Sequence, residues 1–111
     1  MGEARVVSIE GHVGLADVGP DARARLDAIA RLVQDVSDTD AANAPIEGMG
    51  IWILRRMSID IAATPRFRAV VDASTRCTGI GARWAERTSE LRVDDRLCVE
   101  AVKLLINYRI G

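Results

Sequence analysis

Aromatic side chains are scarce in this sequence: two tryptophans, one tyrosine and one phenylalanine, 4% of 111 residues. That leaves no aromatic ladder on which the bases of a single strand could stack. An excess of charge of one sign is missing as well. Fifteen Lys and Arg stand against sixteen Asp and Glu, for a formal net charge of -1. The arginines are spread along the chain, so general electrostatic attraction to nucleic acid is not expected. There are only two cysteines, Cys77 and Cys98. They have no metal-ligand spacing and make no disulfide framework, which fits a reduced, cytoplasmic setting. The single histidine, His12, has no Cys, Asp or second His at ligand spacing, so no metal site is expected. Long apolar runs are also lacking. No segment approaches the roughly 20 residues that span a bilayer, so no membrane span is expected. The charged start, "MGEARVVSIE", does not read as a signal peptide.

What is present is a core-forming composition, 49% hydrophobic, in a chain long enough for one domain over residues 1–111. "RVVSIEGHV", Arg5 to Val13, reads as a β-branched strand. Gly19-Pro20-Asp21 stops that strand, and Pro20 and Asp21 suit the start of a helix. From Ala22 to about Val36 the period is helical. Leu26, Ile29, Ala30, Val33 and Val36 form one apolar stripe. "SDTDAANAPIEGMG", with Pro45, Gly48 and Gly50, reads as a loop with at most one helical turn.

After Gly50 the period becomes two. In "IWILRRMSIDIAA", Ile51, Ile53, Met57, Ile59 and Ile61 share one side, interrupted by Arg55, while Trp52, Leu54, Arg56, Ser58 and Asp60 share the other. Thr64-Pro65-Arg66 turns the chain into a strand ending near Cys77. Gly79 and Gly81 suggest a hairpin that needs positive φ. Helix and βαβ pattern are both absent after these glycines, which sets aside a dinucleotide loop. "ARWAERTSELRV", a turn at Asp94-Asp95 and "RLCVEAVKLLINYRI" complete four strands joined as consecutive hairpins. Their apolar face needs cover, and one amphipathic helix is available. The expected class is α+β: a hotdog fold, one long central helix wrapped by a curved antiparallel five-stranded sheet. One helix cannot cover such a sheet from edge to edge, so a homodimer is expected.

"GIWILRRMSIDI...PRFRAVVDASTRCTGIGARWAERTSEL" resembles the first hotdog repeat of the acyl-acyl-carrier-protein thioesterases. Trp52 to Met57 match the family's Trp-led strand, Pro65-Arg66-Phe67 its aromatic turn, and Gly79 to Arg87 its glycine hairpin and Arg-rich strand. "RARLDAIARLVQDVS" resembles its first helix. The match runs from about Gly14 to Glu100. The resemblance implies hydrolysis of an acyl thioester on acyl carrier protein or coenzyme A, with no cofactor. In that family the catalytic Asp, Asn and His lie in a second hotdog unit.

Thioester hydrolysis needs an activated water or carboxylate nucleophile and donors aimed at the thioester oxygen. Single-unit hotdog thioesterases carry an Asp-led motif before the helix. "ADVGPDARARL" aligns Asp17 with its first acid, whereas Gly19 replaces its second polar residue. Arg23 and Arg25 stand where the second unit of the two-unit enzymes has His and Asn. Asp17 is therefore the candidate catalytic residue, with a turn-forming acid as the alternative. N–H groups around Ala22 and Arg23, at the expected helix start, are the candidate carbonyl donors. Arg55 either pairs with Asp72 or Glu86 or binds the phosphate of a pantetheine arm. Trp52 is a candidate acyl-pocket wall or a packing residue. Arg23, Arg25 and Arg31 suit an acidic carrier protein or a solvated helix face. Cys77 and Cys98 read as small hydrophobes rather than nucleophiles, because no His is placed to activate them. Two functions follow: an acyl thioester hydrolase, or a non-catalytic hotdog unit that binds acyl chains or forms the structural half of a double-hotdog assembly.

Overall fold

The computed structural model describes residues 5–43 and 51–108. Strand β1 (Val6–His12) leads through a 3-10 turn at Leu15–Asp17 into helix α1 (Leu26–Asn43). Four strands follow: β2 (Ile51–Ile61), β3 (Val70–Ile80), β4 (Trp84–Val93) and β5 (Arg96–Tyr108). They form one five-stranded sheet in the order β1-β3-β4-β5-β2, antiparallel throughout, with the helix on one face. This is the hotdog arrangement.

The helix boundaries differ from the sequence reading at both ends. Ala22 has φ 61, a left-handed value that excludes it from a helix. Gly19 to Arg25 instead form a compact turn, in which the Ala22 N–H donates to the Gly19 carbonyl at 3.0 Å and the Arg23 N–H to Asp21 Oδ1 at 3.1 Å. At the other end α1 continues past Val36 through most of the expected loop. Ser37 and Thr39 place their hydroxyls on the carbonyls of Val33 and Asp35, each at 3.0 Å, so these residues satisfy themselves within the helix. The Pro45, Gly48 and Gly50 stretch lies outside the described residues.

The buried stripe of α1 is Ile29, Leu32, Val33 and Val36, spaced by three and four, and it packs on Val71, Ala73, Leu91, Val99 and Ala101 of the sheet. Burying each aliphatic side chain contributes about 1.5–3 kcal/mol relative to exposure. Leu26 is the first helical residue and stays 61% exposed, so Leu32 takes the place expected for it. Gly11 on β1 makes the approach possible: a Cβ there would lie 2.6 Å from Leu32 Cδ2.

The strands are not consecutive hairpins. β2 pairs with β5 at the far edge, and the chain then crosses the end of the sheet to reach β3 beside β1. Backbone bonds fix this crossing. The Ala62 N–H donates to the Cys98 carbonyl, that of Ala24 to the Pro65 carbonyl and that of Phe67 to the Ala22 carbonyl, each at 2.8 Å. Asp94 and Asp95, φ 50 and 64, form the β4–β5 hairpin turn as expected.

Gly79 and Gly81 act by a different physics from the expected one. Neither takes a positive φ, and β3 runs on through Gly79 to Ile80. A Cβ on Gly81 would lie 2.0 Å from Trp84 Nε1, and one on Gly79 3.1 Å from Trp84 Cζ3. The glycines leave room for the indole.

Arg55 does not interrupt an apolar face. Leu54 is opposite Leu105 and Arg56 opposite Leu104, so Arg55 is the extra residue of a β-bulge. The bulge reverses the alternation. Trp52 and Leu54 therefore share the helix-side face with Met57, Ile59 and Ile61, while Ile53 joins Arg56, Ser58 and Asp60 outside.

Candidate active site and acyl groove

The sequence-predicted residues fall in two places. Asp17, Ala22 and Arg23 lie in the segment leading into the helix, and Trp52 lines a groove together with Gln34, Ser37 and Asp40 of its C-terminal half. Arg55 is exposed on the edge strand. Its expected partners are remote: Asp72 is on β3, three strands away, and Glu86 on β4 bonds Thr78 Oγ1 at 2.8 Å.

Asp17 closes the 3-10 turn. Its Oδ2 accepts from the Gly14 N–H at 2.8 Å, while Oδ1 accepts from Arg31 Nη1 at 2.6 Å. The Gly14 N–H and then Arg31 hold the carboxyl below its ordinary value of 3.8. Asp17 is therefore an ionised carboxylate at neutral pH, and a weak base while Arg31 covers it. Arg25 fixes the same turn from the other side, with Nη2 on the Ala16 carbonyl at 2.6 Å, Nη1 on the Val18 carbonyl at 3.0 Å and Nε on Asp27 at 3.0 Å. Arg25 and Arg31 are thus occupied within the chain.

The candidate carbonyl donors are occupied too. The Ala22 and Arg23 N–H groups serve the turn, that of Ala24 goes to Pro65, and that of Arg25 bonds the Asp17 carbonyl at 2.8 Å. The helix starts at Leu26, so Ala22 and Arg23 lie outside its positive end. Arg23 has another property: it stands directly opposite Arg66 in an isolated antiparallel bridge, and both side chains are exposed. Like charges so placed repel until an anion joins them.

The second place is a groove of about 610 Å³. It exists because α1 lies over β1, β3 and β4 and leaves the β5–β2 side of the sheet open. Trp52, Leu54, Ile80 and Leu105 line it with apolar surface, and Gln34, Ser37, Asp40, Arg87 and Lys103 give it a polar floor. Arg87 Nη2 pairs with Asp40 Oδ2 at 2.8 Å, and Arg5 pairs with the same carboxylate. Lys103 donates to Ser37 Oγ at 2.9 Å and to Gln34 Oε1 at 3.5 Å. Burial pushes the Lys103 ammonium below its ordinary value, and Asp38 acts in the opposite direction. Gln34 follows Arg31 by three residues, so the Asp17 partner and the groove occupy adjoining helix surface.

The sequence reading found Trp52 and missed Asp40, Arg87 and Lys103. A signal existed in β5, where Val99, Ala101, Lys103 and Leu105 share a face. It was hidden because the opposite face, Val102, Leu104 and Ile106, is also apolar.

These features define a hotdog unit. It matches solved structures closely in shape: a probable thioesterase from Bartonella henselae (9% identity, 96% of this chain and 98% of that one, TM-score 0.81), a putative oleoyl thioesterase from Lactobacillus plantarum (20%, 93% and 43%, TM-score 0.82) and a Thermus thermophilus thioesterase complexed with coenzyme A and Zn (15%, 95% and 86%, TM-score 0.82). The chain thus spans 43% of the Lactobacillus protein's length. No curated protein matches it. The acyl-ACP thioesterase N-terminal domain model matches residues 8–108, and the chain belongs to that family of hotdog thioester hydrolases.

Proposed function

We propose that this unit hydrolyses acyl thioesters carried on the pantetheine arm of acyl carrier protein or coenzyme A, working as a homodimer in the cytoplasm in fatty-acid metabolism. The observation that carries this reading is the open, apolar-walled groove between α1 and the β5–β2 side, whose lining residue Gln34 is one helical turn from Arg31, the partner of Asp17, in a chain of this family. The acyl chain lies against Trp52, Leu54 and Leu105. Arg23 and Arg66 receive the phosphate of the arm, which relieves their mutual repulsion. Asp17 takes the proton of the attacking water once Arg31 swings away; hydroxide adds to the acyl carbon, the C–S bond breaks, and the thiolate leaves with the proton.

A specific observation favours a second reading, a non-catalytic acyl-binding unit: both Asp17 oxygens and the N–H groups from Ala22 to Arg25 are already bonded. Thiol release from a panel of acyl thioesters separates the two. If Asp17 is the base, Asp17→Asn loses 10²-fold or more in kcat, within the usual range of about 10²–10⁴ for general bases. Arg31→Gln moves the acidic limb of the pH–rate profile upward, because Asp17 then loses its cation. If both variants match wild type, Asp17 has no catalytic role.

A further inference from the structure

We propose that the groove selects acyl chains whose far end carries a carboxylate, with Lys103 and Arg87 as its recognition pair. This inference rests on the reading of the groove as the acyl site. A groove for a plain alkyl chain has no use for a buried cation, yet Lys103 is only 6% exposed. It stands directly opposite Arg87 across the β4–β5 ladder, on the face that looks toward α1. Two cations facing each other in a sheltered site repel; Asp40 pairs with Arg87, and Asp38 acts on Lys103 only through space. Three cations in all, Arg5, Arg87 and Lys103, line the groove against two carboxylates, Asp38 and Asp40. The lining carries a net positive charge inside a chain whose net charge is -1.

The hydrogen-bond inventory points the same way. Arg87 Nε is buried without an acceptor among the described residues. Lys103 spends two protons on the neutral acceptors Ser37 and Gln34, and its third has no acceptor among the described residues. Unfilled buried donors are costly, and a carboxylate, acceptor at both oxygens, fills both at once. The apolar walls of Trp52, Leu54 and Leu105 take the methylene chain leading to it. A methyl-ended chain leaves both donors unfilled.

Binding can be read apart from hydrolysis. With Trp84→Phe leaving Trp52 as the single indole, octanoate and octanamide are titrated and the groove fluorescence followed. Octanoate is expected to bind at least ten-fold tighter. Lys103→Met should abolish that preference; Lys103→Gln is the second variant should Lys103→Met not fold. In the turnover arm, the ω-carboxyoctanoyl thioester should exceed octanoyl in kcat/KM by ten-fold or more, and the ratio should collapse in the same variants. Equal binding of the acid and the amide, or a preference that survives loss of Lys103, overturns the proposal. Hydrolysis without any carboxylate preference sinks this inference alone. Carboxylate-selective binding without hydrolysis sinks the catalytic reading and leaves this one standing.

Discussion

At the scale of single residues, two side chains show how a neighbour sets the role of a position. Asp17 is held ionised by the Gly14 N–H and by Arg31, with its pKa below 3.8. A folded-state pKa lower than the unfolded one contributes stability that is present above the unfolded value and is lost as pH falls through the folded value. Asp17→Asn is therefore expected to cost about 1 kcal/mol at neutral pH, the usual scale for a cap and a partly exposed pair. The gap from wild type should close as pH falls through the lowered folded-state pKa, where the wild-type carboxyl is protonated as well. Urea midpoints at several pH values test this; a gap that persists in acid rules out the ionised carboxylate as its source. Trp84 and Gly81 make the second case. The indole occupies the space a Cβ would need, so Gly81→Ala should cost about 1–3 kcal/mol, the usual scale of overpacking. In a Trp84→Ala background the same substitution should cost little. A double-mutant cycle reads that coupling, and additive effects would show that backbone conformation rather than the indole requires glycine.

At the scale of elements, the C-terminal half of α1 is held by side chains far away in sequence. Asp40 sits near the negative end of the helix, an unfavourable place for a carboxylate, and is retained there by Arg87 and Arg5. Removing one partner of a buried pair leaves the other charge uncompensated. Asp40→Asn should thus lower stability by about 3 kcal/mol and speed amide exchange from Ser37 to Asn43 ahead of the rest of the helix. Unchanged exchange in that segment would mean that packing, not the pair, ends the helix. The same long-range bond explains why the sequence reading ended α1 near Val36. Ser37, Asp38, Thr39 and Asp40 favour loops by local propensity, and Arg87, 47 positions on, together with Arg5 turns Asp40 into a helical anchor. The strands were legible because their period of two is local. Their order was not, since the crossing at Ala62–Ala69 is fixed by bonds to Cys98, Ala22 and Val13. Arg55 misled because one bulge residue reverses the faces of everything before it. Of the candidate site, Trp52 and Asp17 were legible. The Arg87–Lys103 floor was not, because both faces of β5 are apolar enough to pass for core.

At the scale of the whole molecule, the helix lies over β1, β3 and β4, reaches β5 at its buried residues, and leaves β2 at the open edge. β2, 11 residues long, is an edge strand paired, among the described residues, with β5 alone. It exposes Ile53 on its outer face and Leu54, Met57 and Ile61 on its inner one. Natural proteins blunt a long, apolar edge or cover it. The opposite edge, β1, has 7 residues and is flanked on its inner face by α1. A twofold pairing of β2 with β2 of a second copy satisfies the free backbone groups of both edges, extends the sheet, and closes the open side of each groove with the partner's surface. Met57 is opposite Lys103 in the β2–β5 ladder and half-way along the edge, so a lysine there places like charges side by side within each subunit and across the joint. Met57→Lys is accordingly expected to convert a dimer of about twice the 12.0 kDa chain mass into monomer in sedimentation velocity. Ser8→Lys, on the β1 edge and the outer face, should leave the dimer intact. Because the groove borders the joint, acyl binding should weaken together with dimerisation, and raising the protein concentration should restore both. A wild type that sediments as monomer at every concentration tested removes the homodimer and leaves the β2 edge to a different unit.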